Sequence, residues 1–390
     1  MLIMKSKKTA KKEDVVVTLE YKKPRLFWKI ILGLLLFFIL STAISAFVVY
    51  RRVKNYRDQF LVGAQITQEQ LAETVEIIAE DFADFAENPN KAIEQKNLLV
   101  LGADQVTGRN GGALLTDTIL LLQLNLKDNQ VKSLALPRDL YHPDYQTKIN
   151  AFYYYGLERN PESPLAFPTE AISELTQIEI DHTLLIEIES LENLINLFGG
   201  IEVDIKEGFI DPLFPVKGVD VSLEKNPAVL YETVVFEEGK ELMDGNRALQ
   251  FMRSRNSDDE QGTDLARGQR QQMVLQSLLE QILNPDFMIQ EPEKVGHLYR
   301  FYLDHFSASL SVNELARVAI SWLVINQGKQ TISLIPEFVS YSIPVYPEND
   351  EGLIFHPPLW QTQQQWIYQI RDLALFRETL KDFFVENKLN

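Results

Sequence analysis

From Ile30 to Tyr50 the chain runs 21 residues without a charge, IILGLLLFFILSTAISAFVVY. In a bilayer every backbone polar group must be satisfied within the segment. A run of this length and composition therefore predicts one helix across a hydrocarbon core of roughly 30 Å. Nine basic residues precede it and Arg51, Arg52, Lys54 and Arg57 follow, an imbalance that predicts a cytoplasmic N-terminus. No small-residue cleavage site precedes the Tyr50-Arg51-Arg52 flank, so the segment reads as an uncleaved anchor; the competing reading is a removed signal peptide. Residues 1–29 are then a basic, disordered cytoplasmic tail, 30–50 a transmembrane helix, 51–94 a helical stalk or linker, and 95–384 an extracellular domain.

Charge narrows the options. The first 50 residues carry nine Lys/Arg and three Asp/Glu, which leaves 29 basic and 52 acidic side chains beyond them, net −23. Such a surface repels bulk nucleic acid, so a nucleic-acid partner is excluded. Cysteine is absent, which removes disulfides, thiolate nucleophiles and Cys-zinc sites together. The five histidines show no metal-ligand spacing,.

Past the anchor, Thr67-Gln68-Glu69-Gln70 is a capping box that opens a helix to about Ala86. The apolar runs 97–103, 117–125 and 131–137 predict strands of a sheet covered on both faces. A strand at 184–189, a helix over 190–198 stopped by Gly199-Gly200, and a strand at 201–205 form an α/β unit. An apolar stripe predicts a helix over 265–283, and Ser311–Glu314 caps another toward Ile325,. The segment 331–336 reads as a late strand and 359–384 as mostly helix.

Against the acidic background, arginines gather. Arg138 lies in Pro137-Arg138-Asp139 at the close of the third strand; Arg253 and Arg255 share one face if the chain is extended,. Arg267, Arg270 and Gln271, at i, i+3 and i+4, share one helical face near a helix N-terminus,. The planar guanidinium matches phosphate oxygens two at a time. Asp104 ends the first strand and Asp117 begins the second; strand ends are where ligands sit in α/β sheets, and two carboxylates there can hold Mg²⁺. Taken singly, each pair also reads as a turn cap, a solvated face or a surface ion pair.

In order, GADQ, TDT, LPRD, KIN, FGGIEVD, LMDGNRALQFMRSR and DLARGQRQQ resemble the LytR-CpsA-Psr family of membrane-anchored cell-wall enzymes. The resemblance covers residues 95–384. It implies an α/β class, a three-layer α/β/α catalytic domain with a central mixed sheet, and an apolar pocket for a polyprenyl tail. It also implies Mg²⁺-dependent transfer of a glycopolymer, such as teichoic acid or capsule, from an undecaprenyl-pyrophosphate carrier to peptidoglycan. By the same resemblance Asp104 and Asp117 sit at metal and pyrophosphate, while Arg138, Arg253, Arg255, Arg267 and Gln271 contact phosphates, with Arg270 beside them. Asp139, Lys148, Asn150 and Asp264 match motif positions. Leu115 stands where the family commonly has Arg, Ala266 where Gly is usual, and Ala103 where Ser is usual; Arg109 is a candidate substitute for the first.

The residues agree with phosphoryl transfer, which needs positioning and charge neutralisation more than covalent help. Asp117, Arg138, Arg253 and Arg255 are the candidate catalytic residues, with Asp117 or Asp104 accepting the proton of the acceptor hydroxyl. Two rivals remain open: hydrolysis of the same pyrophosphate, and a non-catalytic prenyl-phosphate-binding scaffold.

Overall fold

The computed structural model describes residues 25–88, 91–104, 114–216, 219, 226–327, 329, 333–343 and 352–386, without the side chains of 25–36, 39, 86, 104, 227, 385 and 386. By its contacts the chain divides into two compact units, Met1–Gln59 and Phe60–Asn390. Helix α1 (Arg25–Ala64) includes the whole uncharged run. Among the described residues no helix is long and apolar enough to cross a membrane. The expected transmembrane span at 30–50 falls partly outside them, since the side chains of 30–36 and 39 do.

The second unit opens with α2 (Gln68–Glu87), whose capping box forms as read: Thr67 Oγ1 accepts from Gln70 N and Gln70 Oε1 from Thr67 N. The chain continues through β1 (Gln95–Asp104), β2 (Leu115–Asn125), β3 (Gln130–Ala135), α3 (Phe152–Arg159), α4 (Ala166–Thr176), β4 (His182–Glu187) and α5 (Ile188–Phe198). Next come β5 (Ile201–Ile205), β6 (Phe209–Pro215), β7 (Tyr231–Phe236), β8 (Gly239–Met243), α6 (Gly245–Arg253) and α7 (Asp264–Ile282). Helices α8 (Pro285–Gln290), α9 (Pro292–His305) and α10 (Val312–Asn326), strand β9 (Glu337–Ser342) and helix α11 (Leu373–Glu386) complete the elements used below.

The central sheet is mixed, in the order β9-β3-β2-β1-β4, antiparallel through β3-β2-β1 and parallel at both outer pairs. Successive side chains of a strand point to opposite faces, so the continuous apolar runs cover both. Leu99, Leu101, Ile119, Leu121 and Leu134 pack under α3, α4 and α11. Leu98, Val100, Leu120, Leu122 and Ala135 face the other way, toward Leu275 of α7. A second core joins α5, α6, α7 and α9 to β5–β8. The result is a mixed α/β fold whose central mixed sheet is packed on both faces.

Two expectations fail locally. The late strand is Glu337–Ser342, not 331–336; Thr331 and Ile332 lie outside the described residues. Pro336 has no N–H to donate, so the ladder with β3 begins one residue after it,. The stretch 359–384 is helical only in a short turn at Leu359–Gln361 and again from Leu373. Gln363 and Gln364 take φ of 53° and 65°, which ends the first turn, and Gln369–Ile370 pairs with Ile354–Phe355,.

Two glycines shape the elements that carry the site. Gly199 ends α5 at φ 83°, the left-handed stop read from the sequence,. Gly245 opens α6 against α5: its N–H donates to Asn196 Oδ1 at 2.8 Å. A Cβ there would lie 2.2 Å from the Glu192 carbonyl oxygen. Gly245→Ala is therefore expected to cost about 1–3 kcal/mol through forced separation of the two helices, read as a lower urea midpoint at unchanged slope. An unchanged midpoint would contradict this packing.

Candidate functional site

Between the α7-facing side of the sheet and helices α5, α6 and α7 lies a cavity of about 400 Å³. Its lining changes character along each element. On α7 the sequence of lining residues is Arg267, Gln271, Val274, Leu275, Leu278, one helical face that begins cationic and becomes apolar,. On β2 it is Asp117 and Thr118, then Leu120; on β1, Gly102, then Val100. The cavity is thus a slot with a charged end and an apolar end.

Arg138, Arg253 and Arg255 line the same cavity as Arg267 and Gln271, so five of the six expected phosphate-contacting residues converge. Arg253 closes α6, and Ser254, extended at φ −56° and ψ 136°, lets Arg255 face the same space. Arg138 Nη1 lies 2.8 Å from Asp117 Oδ2. Its Nε is 3.4 Å from Asp139 Oδ2 and, though buried, makes no hydrogen bond among the described residues. Lys148 Nζ reaches Asp139 Oδ1 at 2.6 Å, and Arg267 Nη2 reaches Asp264 Oδ1 at 2.9 Å. Asn150 is buried and its carbonyl oxygen accepts from Thr116 Oγ1.

Burial and charge pull these arginines in opposite directions. Burial works against the charged form of Arg138, but Asp117, Asp139 and Asp264 outweigh it and hold its pKa above the usual value. Burial lowers that of Arg267; Arg138 and Arg255 push the same way, and Asp264 and Asp117 oppose them. Buried cations facing one another are stabilised by an incoming anion that displaces no hydrophobic contact. The arrangement can therefore neutralise a polyanion whose apolar substituent fills the far end of the slot.

Arg270 does not join this group. It is 2% exposed and lies outside the cavity lining, with its guanidinium committed to backbone carbonyls. Nε donates to Phe251 O at 2.8 Å, Nη1 to Gln261 O at 2.9 Å and Gln261 Oε1 at 3.1 Å, and Nη2 to Ser254 O. Burial, with Arg267 adding, brings its pKa down to about 10. Arg270 does not share the face of Arg267 and Gln271: three residues on from Arg267 is about 60° short of a full turn, and that offset aims Arg270 at the Phe251–Gln261 segment,. It positions Arg253 and Arg255 and does not reach the cavity.

Two further residues escaped the sequence reading. Asp211 is fully buried; Oδ2 accepts from Arg255 N at 2.9 Å and Asn256 N at 3.3 Å, and Oδ1 from Leu213 N at 3.0 Å. The signal was an aspartate in the inward register of a strand, two residues after buried Phe209,. Tyr368, from the C-terminal segment, donates its hydroxyl to Asp264 Oδ2 at 3.0 Å. No sequence signal marks it. The Asp104 backbone pairs with Leu115, which brings it to the same end of the β1–β2 pair as Asp117; its side chain, like Arg109, lies outside the described residues. Leu115 itself lines the cavity. Among the described residues no three His, Asp or Glu side chains cluster to hold a metal.

Arg270→Met would leave three backbone carbonyls without their buried donor. It is expected to destabilise the protein by about 3 kcal/mol or more, measured by denaturant unfolding. Unchanged stability with lost ligand binding would instead return Arg270 to the contact set.

Polyisoprenyl-teichoic acid–peptidoglycan teichoic acid transferase TagT of Bacillus subtilis (strain 168) is 22% identical over 263 residues, 66% of this chain and 71% of that protein. The Bacillus anthracis transferase TagU is 26% identical over 262 residues, again 66% and 71%. A solved structure of the family protein YwtF (TagT) with bound octaprenyl pyrophosphate lipid is 20% identical, covering 76% of this chain and 91% of that one at a TM-score of 0.44. The model of the LytR_cpsA_psr family matches residues 61–328, more than half of the sequence and every residue that lines the cavity, and the chain belongs to that family.

Proposed function

We propose that this protein transfers an anionic cell-wall glycopolymer from an undecaprenyl-pyrophosphate carrier to peptidoglycan, forming a phosphodiester bond. The observation that carries the reading is the slot: an apolar end bounded by Leu120, Val274 and Leu278, and a charged end bounded by Arg138, Arg253, Arg255 and Arg267. A prenyl pyrophosphate is amphiphilic in the same sense. Several curated relatives named as teichoic acid–peptidoglycan transferases support the same class of reaction.

In the proposed step an acceptor sugar hydroxyl attacks the phosphorus that carries the glycan. The new O–P bond forms as the bridging P–O bond of the pyrophosphate breaks. The hydroxyl proton passes to a carboxylate, Asp117 or Asp104, and the prenyl phosphate leaves. Negative charge grows on the leaving phosphate, and arginines fixed before the reaction stabilise it most in the transition state. Arg138 is held for this between Asp117 and Asp139. Leu120 excludes water from the prenyl side of the slot,.

Mg²⁺ is proposed as cofactor. Asp117 fits it in part: its side chain is 36% exposed at the charged end, with Oδ2 on Arg138, and Asp104 would contribute from the facing strand. Such an ion would take its remaining ligands from phosphate oxygens and water and neutralise their charge. The run 30–50 is proposed as a single membrane anchor with the N-terminus in the cytoplasm, which suits a substrate whose tail lies in a bilayer.

The test uses the full-length protein, a labelled prenyl-pyrophosphate oligosaccharide and peptidoglycan fragments, with Mg²⁺ or with EDTA. Label should move to peptidoglycan only with metal, and Asp117→Ala should lower the rate about 100-fold or more while lipid binding persists. Free phosphorylated sugar would establish hydrolysis instead. Tight lipid binding without any product would establish a scaffold.

A further inference from the structure

A second cavity, of about 1180 Å³, meets the first at Arg138, Asp139, Lys148 and Arg255, which line both. Its remaining walls carry a different chemistry. Beside the apolar Leu265 and Met273 and the cation Arg270, they present Glu207, Gln261, Gln269, Asp264, Trp366 and Tyr368. The two aromatic residues come from the segment after Gly352, beyond the stretch 61–328 that the family model matches.

Trp366 is 48% exposed, so about half of the indole is open to a ligand. Its ring is fixed from one side. It lies against His356 with centroids 3.7 Å apart and the rings tilted by 35°, and meets Tyr368 edge-on at 6.3 Å. The segment is in turn fastened to the charged end of the first cavity. Tyr368 N donates to Asp139 O and Tyr141 N to Tyr368 O, at 2.9 and 2.7 Å. The Tyr368 hydroxyl meets Asp264, the partner of Arg267. Trp366 therefore keeps a set position relative to Arg138, two residues from a backbone clamp. Gln269, exposed on α7, adds a side-chain amide within the same walls.

A rigid, half-exposed indole face beside amides and carboxylates matches one ligand chemistry well. The axial C–H face of a pyranose packs on the ring, and its hydroxyls exchange hydrogen bonds with the polar side chains. A prenyl chain would leave those polar groups unsatisfied, and a nucleic acid would meet the carboxylates of Glu207 and Asp264. Resting on the transferase reading above, we propose that the second cavity is a pyranoside-binding subsite with Trp366 as its platform, holding a glycan against the phosphate-binding arginines from the side opposite the lipid slot. Two glycans share that chemistry, the acceptor strand and the sugar of the lipid-linked donor.

The test has a binding arm and a kinetic arm, both with the full-length protein. Titration with a tetrasaccharide of N-acetylglucosamine, followed by calorimetry, should show Trp366→Ala weaker by about five- to tenfold, with Trp366→Phe keeping most of the affinity. Gln269→Ala should weaken it less. Affinity for a sugar-free prenyl pyrophosphate should stay unchanged in all three, which separates this subsite from the lipid slot. In the transfer assay, a rise in KM for peptidoglycan fragments assigns the subsite to the acceptor, and a rise in KM for the donor assigns it to the donor's sugar. Tetrasaccharide affinity unchanged in Trp366→Ala overturns the proposal, whatever the transfer reaction proves to be. Lost prenyl-pyrophosphate binding in the wild type would overturn the transferase reading while leaving the binding arm to stand by itself.

Discussion

The buried guanidinium of Arg270 is the contact on which the site depends. A chain that ends α6 at Arg253 and must turn to start α7 at Asp264 exposes several carbonyls to a dry interior. Arg270 satisfies those of Phe251, Ser254 and Gln261 from one side, while Asp211 takes the N–H groups of Arg255 and Asn256 from the other. Cation and carboxylate thus hold opposite edges of one short segment. Neither lines the first cavity, yet together they fix the backbone from which Arg253 and Arg255 reach it. A loop bearing two cations without such support would swing toward solvent, where each charge is better hydrated.

The electrostatics explain why an acidic chain can run such a site. At the charged end Arg138 is matched to Asp117 and Asp139, Lys148 to Asp139, and Arg267 to Asp264. The carboxylates keep the arginines charged and oriented before a ligand arrives. They also let the net charge of the chain remain strongly negative while the local field at one point is positive. An anion that enters exchanges partners with groups already in place, which lowers the reorganisation needed when charge develops in a transition state.

Much of this was legible in the residues. Apolar runs on both faces of every central strand marked a covered sheet, and the capping boxes at Thr67 and Ser311 and the stop at Gly199 placed helix ends. The convergence of Arg138, Arg253, Arg255, Arg267 and Gln271 followed from motif order. What stayed hidden depends on tertiary contact. Whether a helical arginine faces a ligand or a carbonyl turns on an offset of about 100° per residue, and Arg270 shows the difference. Asp211 looks like any strand aspartate until its neighbours' N–H groups are seen. Lys132, 2% exposed, caps the last carbonyls of α11 through Phe383 O and Phe384 O, a role invisible in a strand that reads VKSLA,. The strand at 337–342 and the broken helix after Pro358 were misread because Pro336 and the left-handed glutamines act through hydrogen-bond supply and backbone angle, not hydropathy.

In the proposed reaction one slot takes both ends of an amphiphilic pyrophosphate. A prenyl pyrophosphate carrying a diazirine along its chain, photolysed in the bound state and mapped by mass spectrometry, tests it most directly. Adducts are expected on the apolar end of the slot, at Leu249, Met252, Val274 and Leu278, and should be lost on competition with unlabelled lipid. Adducts confined to exposed apolar residues such as Val75, Phe82 or Leu323, with none in the slot, would contradict it.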